Sequence, residues 1–168
     1  METHLKSIEA LLEKVKPFPT VGNRIKLNQN KTKNGNSKRL NCIHFGVKKI
    51  GNTYSQTKAS KLQLYPELEN EIHKFIEIYY PDLDFNQILI NKNNWFSMHK
   101  DKNNKIDEAL LIGLGDYIGG EVNLHDDEGN ITSSINLKYN PILFANKTTN
   151  HSVNKWTGDR YSIITYLI

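Results

Sequence analysis

Arg160-Tyr161-Ser162-Ile163-Ile164-Thr165-Tyr166 reads as a β-strand whose two sides differ in chemistry. In an extended segment, residues two apart point to the same side. Arg160, Ser162, Ile164 and Tyr166 therefore share one side, so Arg160 and Ser162 can meet the same anion. An arginine can grip a carboxylate through two parallel hydrogen bonds. Asp159 offers Arg160 a plain surface salt bridge as the alternative. A place beside a strand that would be buried argues against it.

Nine residues before Arg160 stands His151, and 52 residues before that stands His99, in His99-Lys100-Asp101. By the same period of two, His99 and Asp101 can reach one metal ion, with His151 arriving from another strand. Two histidines and one aspartate can hold one face of an Fe(II) octahedron and leave three positions open. An iron face next to a carboxylate clamp points to an oxygenase that uses 2-oxoglutarate and O2. A second triplet of the same form, His125-Asp126-Asp127, runs straight into Glu128-Gly129-Asn130. That is a hairpin turn, so its carboxylates are expected to face water. His99 instead follows Trp95, Phe96 and Met98, an apolar approach suited to a half-buried site.

Short strands surround these residues. Residues 87–91, 109–114, 121–125, 141–146 and 160–167 carry strand patterns, separated by Asn103-Asn104, Gly119-Gly120, 127–130 and 157–159. Helical patterns come earlier. Leu5, Ile8, Leu12 and Val15 share one face of residues 4–16, and Pro17 and Pro19 follow. Pro66 opens a second helix with the stripe Leu68, Ile72, Phe75, Ile76 and Tyr79, which Pro81 ends. Residues 20–39 read as a loop and residues 40–50 as a strand. Helices first and short strands later predict an α+β protein: a jelly-roll, cupin-like sandwich that holds a metal between two sheets, with the helices packed outside. One domain over 1–168 is expected, with 1–85 as a helical and basic support region and 86–168 as the catalytic core.

Composition narrows the class. The chain has 168 residues, is 38% hydrophobic, and has no apolar run near the roughly 20 residues of a membrane span. Met1 to Lys16 lacks the apolar core of a signal peptide. One cysteine, Cys42, excludes an internal disulfide and a cysteine-built zinc site. An intracellular protein, nuclear or cytoplasmic, is expected. Its abundance of asparagine and lysine fits an AT-rich genome such as that of a virus or a protist. The net charge of +4 is uneven. Arg24, Lys26, Lys31, Lys33, Lys38, Arg39, Lys48 and Lys49 fall in a stretch without one acidic residue. Such a stretch can meet nucleic-acid phosphates. The alternative is a solvated loop, since no aromatic residue lies between Arg24 and Arg39 for base stacking.

Four stretches carry a family resemblance: residues 99–104, Leu114-Gly115-Asp116-Tyr117-Ile118-Gly119-Gly120-Glu121, residues 144–151, and Trp156-Thr157-Gly158-Asp159-Arg160 through Tyr166. From about Gln87 to Ile168 the chain resembles the Fe(II)/2-oxoglutarate-dependent oxygenases of the double-stranded β-helix fold. Its wording is most similar to the TET/JBP branch, whose members oxidise the 5-methyl group of pyrimidine bases. The resemblance implies that His99, Asp101 and His151 bind iron, and that Arg160, helped by Ser162, pairs with the distal carboxylate of 2-oxoglutarate. It implies oxidation of 5-methylcytosine or thymine in nucleic acid, with release of succinate and CO2. Such an enzyme must take a base out of the stack or act on single strands. Tyr117, Asn93 and Trp95 are the candidates for contact with the base, beside Asn91, Phe96 and Trp156. Two other functions remain open: a hydroxylase of a protein side chain or small molecule, and an inactive binding module on the same fold.

Overall fold

The computed structural model describes residues 1–21 and 40–168. Arg24, Lys26, Lys31, Lys33, Lys38 and Arg39 of the basic stretch lie outside the described residues. In chain order the elements are α1 (Glu2–Glu13), β1 (Thr20–Val21), β2 (Leu40–Ile50), β3 (Thr53–Gln56), α2 (Lys58–Lys61), α3 (Pro66–Tyr79) and β4 (Gln87–Lys92). They continue with β5 (Ala109–Leu114), β6 (Tyr117–Gly119), β7 (Val122–His125), β8 (Ile131–Ile135), β9 (Ile142–Phe144), β10 (Asn150–Val153), β11 (Trp156–Gly158) and β12 (Tyr161–Tyr166).

The strands divide into a large sheet, a small sheet and a ribbon. The large sheet runs β1-β2-β4-β12-β5-β9, and β3 pairs with the end of β2. The small sheet runs β10-β7-β8, and β6 pairs with β11. Every ladder between these strands is antiparallel. This is the expected jelly-roll core with helices outside. The large sheet draws on both sides of residue 85, because β2 lies directly against β4.

The large sheet is covered on both faces, which explains why β4 reads as nearly continuous apolar sequence. On the outer face, Ile43, Phe45, Ile88, Ile90, Leu110, Ile112 and Ile163 pack against Leu5, Ile8 and Leu12 of α1 and Leu68, Ile72, Phe75 and Ile76 of α3. The alternate residues point inward, toward the small sheet. A second apolar cluster around Leu111, Val122 and Leu137 joins the two sheets there, with Phe144, Val153 and Ile164 against it. Helix α1 stops at Glu13 rather than at the predicted Lys16. Pro17 drives the residue before it out of helical geometry, and Val15 still packs on the core. Among the described residues no helix is long and apolar enough to cross a membrane.

Three pieces escape a reading by period. Strand β8 is exposed over four of its five residues and shows no apolar alternation. Strands β6 and β11 lie where glycines suggest turns. Gly119, Gly120 and Gly158 do have positive φ, at 85°, 74° and 89°. A Cβ on Gly158 would lie 2.1 Å from the Asp116 carbonyl oxygen, so glycine there permits close strand approach rather than a reversal alone.

Candidate metal and anion site

The inward faces of the two sheets enclose a cavity of about 800 Å³. Its wall repeats every second residue: Cys42 and His44 from β2, Gln87, Leu89 and Asn91 from β4, and Ser162, Ile164 and Tyr166 from β12, with Arg160 just ahead of β12. The side expected for Arg160 and Ser162 is the side that faces this space.

His99, Asp101 and His151 meet at one wall of the cavity, with one ligand atom from each within 4.8 Å of the others. Two backbone hydrogen bonds fix the meeting. The His99 N–H donates to the His151 carbonyl, and the His151 N–H donates to the His99 carbonyl, each at 2.9 Å. The two residues form an antiparallel bridge that prolongs the small sheet, and their rings lie 4.3 Å apart.

The ring orientations suit a metal. His99 Nδ1 lies 2.7 Å from the Ser97 carbonyl, and His151 Nδ1 lies 3.0 Å from the Thr149 carbonyl. A carbonyl oxygen can only accept, so each Nδ1 carries the proton and each Nε2 keeps its lone pair. The Nε2 atoms face Asp101, at 3.6 Å from Oδ1 for His99 and 3.8 Å from Oδ2 for His151. Both ring nitrogens and the carboxylate thus face one another with free lone pairs, the donor set that a metal ion needs. His151 is buried, which lowers its pKa from the ordinary histidine value. The Thr149 carbonyl pulls the other way and His99 adds to the lowering. A neutral ring is the form that coordinates.

Asp101 is held by a partner that the sequence does not advertise. Asn146 Nδ2 donates to Asp101 Oδ2 at 3.0 Å, and the Asp101 N–H donates to the Asn146 carbonyl at 2.9 Å. Asn104 Nδ2 in turn donates to Asn146 Oδ1 at 2.9 Å. Both asparagines are buried. In a chain this rich in asparagine nothing marks these two out; only three-dimensional contact does.

Arg160 is 3% exposed, and its guanidinium lies between two rings, 5.5 Å from the Tyr117 centroid and 5.5 Å from that of Trp156. Burial lowers its pKa, with Tyr117 and Glu121 pulling the other way; an arginine nonetheless stays charged. Asp159 is not its partner. That carboxylate accepts from Asn93 Nδ2 at 2.8 Å and pairs with Lys92 Nζ at 3.1 Å, and these two contacts, Asn93 first, lower its pKa. Gly120 completes the cradle: a Cβ there would come within 2.9 Å of Arg160 Cδ and Nε.

Two buried donors on this wall have no hydrogen-bond partner among the described residues: Arg160 Nε and Asn91 Nδ2. Ser162 sits beside Asn91 in register. Buried polar groups are almost always satisfied, so unpaired donors flanking a serine fit a bound carboxylate.

Three residues expected at the substrate stand elsewhere, and none of them lines the cavity. Asn93 adopts φ of 53° and spends its amide on the backbone, accepting from the Arg160 N–H at 2.8 Å besides donating to Asp159. It joins the end of β4 to the start of β12. Tyr117 is 4% exposed and lies with its ring against the Arg160 guanidinium. Trp95 is half-buried outside the cavity. Of the aromatic candidates, Phe96 does line it, with its ring 5.9 Å from that of His99. His125-Asp126-Asp127 forms the expected turn, where Asp126 accepts from the Asn130 N–H and side-chain amide.

No family profile matches the sequence, and no curated protein does. Solved structures do. An oxidoreductase of the 2OG-Fe(II) oxygenase family from Burkholderia pseudomallei aligns over 96% of this chain and 77% of its own, with 16% identity and a TM-score of 0.61. The chain has the fold of the 2-oxoglutarate- and iron-dependent oxygenases. A prolyl-4-hydroxylase from Pseudomonas putida shares that fold over 99% of this chain and 86% of its own, at 10% identity and a TM-score of 0.55. NgTET1 in complex with 5mC DNA aligns over 74% of this chain and 59% of its own, at 15% identity and a TM-score of 0.51. These proteins act on different kinds of molecule, so the shared fold leaves the substrate to be argued from the residues.

Proposed function

We propose that this protein is an Fe(II)- and 2-oxoglutarate-dependent dioxygenase that hydroxylates the 5-methyl group of a pyrimidine base, 5-methylcytosine or thymine, in nucleic acid. The observation that carries the reading is the convergence in one cavity of His99 Nε2, His151 Nε2 and the Asp101 carboxylate with a buried Arg160 that has no ion pair and an unpartnered Nε among the described residues. His99, Asp101 and His151 hold the iron. Arg160 and Ser162 bind the distal carboxylate of 2-oxoglutarate, with Asn91 beside them. Tyr117 and Trp156 keep the guanidinium aimed and shield it from water, where a charge-assisted hydrogen bond is stronger. Iron with 2-oxoglutarate and O2 supplies the oxidising chemistry: one oxygen atom goes to the methyl carbon, the other to succinate, and CO2 leaves. The choice of a pyrimidine methyl group rests on the wording of residues 114–121 and 156–166, and is supported by the likeness to NgTET1.

The test is one reaction containing the protein, Fe(II), 2-oxoglutarate, ascorbate and DNA bearing 5-methylcytosine. Nucleosides and succinate are read by mass spectrometry. A hydroxymethyl nucleoside formed with succinate is the expected result. Succinate with unaltered nucleosides overturns the base assignment and leaves a protein side chain or a small molecule as substrate. Neither product overturns the enzyme assignment.

Asn146 gives a second test, because it holds Asp101 without being one of the three proposed ligands. Partners of metal ligands typically change metal affinity by about 10- to 100-fold. Asn146→Ala is expected to weaken Mn(II) binding by that order in isothermal titration, with the 2-oxoglutarate requirement unchanged at saturating metal. Unaltered Mn(II) affinity would remove Asn146 from the site.

A further inference from the structure

The cavity has two chemically different ends. Strands β2 and β12 both lie antiparallel to β4, with Cys42 and Ser162 opposite Asn91, and Gly46 and Tyr166 opposite Gln87. Arg160 therefore marks one end, and the residues after Gly46 mark the other. At roughly 3.3 Å per residue the six steps from Arg160 to Tyr166 span about 20 Å. The far end is a mouth, and three exposed lysines line it: Lys48 and Lys49 on β2, and Lys102 just after Asp101. They come from opposite sides. Lys48 and Lys49 extend the large sheet, while Lys102 follows the segment bridged to the small sheet.

None of the three has an ion pair among the described residues, whereas Lys100 is held by Asp127 at 3.3 Å. Asp101 is the only side-chain carboxylate lining the cavity among the described residues. Within the proposed function its charge is already spent. Fe(II), the Asp101 carboxylate, the Arg160 guanidinium and dianionic 2-oxoglutarate cancel one another. Lys48, Lys49 and Lys102 are then left around the opening with no side-chain carboxylate to pair with among the described residues.

We propose that Lys48 and Lys49 on one side of the mouth, and Lys102 on the other, bind the two backbone phosphates that flank the nucleotide entering the cavity. The inference rests on the proposed function and assigns the polar contacts of its substrate. A nucleic-acid strand carries one phosphate on each side of every base, which matches cations on two opposing walls. A strand whose base is splayed outward presents that pattern at a narrow opening. Phosphate contacts fix register and carry no base preference. The clamp thus positions the reacting base and leaves its identity to the interior.

The test measures binding of a short fluorescein-labelled single-stranded oligothymidylate by anisotropy across a salt series, with the full chain. Each phosphate neutralised on a single strand contributes about 0.7 to the slope of log affinity against log salt. Combined Lys48→Gln, Lys49→Gln and Lys102→Gln is expected to lower the slope by about 1.4, for two phosphates. An oligonucleotide containing 5-methylcytosine should lose the same amount. Lys14→Gln with Lys74→Gln, on α1's end and on α3 away from the cavity, is expected to leave the slope unchanged. An unaltered slope in the mouth variant, an equal fall in the control variant, or full competition by a thymidine mononucleotide would each overturn the clamp. Nucleoside analysis of the same proteins separates the two ideas. Oxidised nucleoside formed by the mouth variant at unchanged oligonucleotide KM sinks the clamp and spares the base oxygenase. A slope that falls as expected with no oxidised nucleoside from either protein keeps the clamp and sinks the base oxygenase.

Discussion

Arg160→Ala is expected to raise the 2-oxoglutarate concentration needed for turnover by roughly 30-fold to several-thousand-fold, the range that corresponds to the 2–5 kcal/mol lost when one member of a buried charge pair is removed. The guanidinium is buried, sits between Tyr117 and Trp156, and lacks an acidic partner because Asp159 is taken by Lys92 and Asn93. An uncompensated buried cation is costly, and a carboxylate from outside the chain removes that cost. Succinate formation against 2-oxoglutarate concentration gives the shift, and Mn(II) titration gives the control. Metal affinity should stay near wild type, because the ligand atoms come from the bridge between His99 and His151 and from Asp101. Equal loss of metal binding would deny Arg160 its separate role. Arg160→Lys adds a finer reading. It keeps the charge and loses the planar fork, so its requirement should fall between those of the wild type and the alanine variant.

The shared cavity-facing side of Arg160 and Ser162 was legible because β12 is a plain period-two strand with polar residues gathered on one side. The meeting of His99 with Asp101 was legible for the same reason: residues two apart face the same way. What surrounds these residues was not. Tyr117 looked like a base-stacking residue because it is aromatic and lies beside two glycines. Those glycines in fact let β6 and β11 close tightly enough to press Tyr117 and Trp156 around Arg160. Asn93 looked like a substrate contact because it lies just past a site strand. Its positive φ turns the amide toward the Arg160 backbone instead. Asn146 and Asn104 carried no periodic signal at all. Their role comes from contacts across more than 40 positions, such as that between Asn146 and Asp101, 45 apart. The mouth was hidden by a different obstacle: Lys48, Lys49 and Lys102 belong to separate stretches of sequence and come to one opening only through the ladder of β2 with β4.

His99→Ala is expected to abolish turnover. Metal affinity should fall by more than the roughly 100-fold upper range seen for residues that merely support a ligand. The variant should still fold. The bonds that tie residue 99 to His151 are made by backbone atoms, and the side chain is partly exposed rather than central to either apolar cluster. Near-ultraviolet circular dichroism and thermal unfolding close to wild type are therefore expected alongside the loss of Mn(II) binding and of succinate. The second His-x-Asp triplet gives no rescue. His125 Nε2 is engaged by Ser152 Oγ at 2.8 Å, and Asp126 is occupied within its own turn. Asp127 extends into solvent beside Lys100. Retained Mn(II) binding together with retained turnover would mean that the metal sits elsewhere. Retained binding with lost turnover would mean that His99 serves the reacting geometry rather than affinity. Loss of both in a folded protein is the outcome that the facing Nε2 atoms of His99 and His151 require.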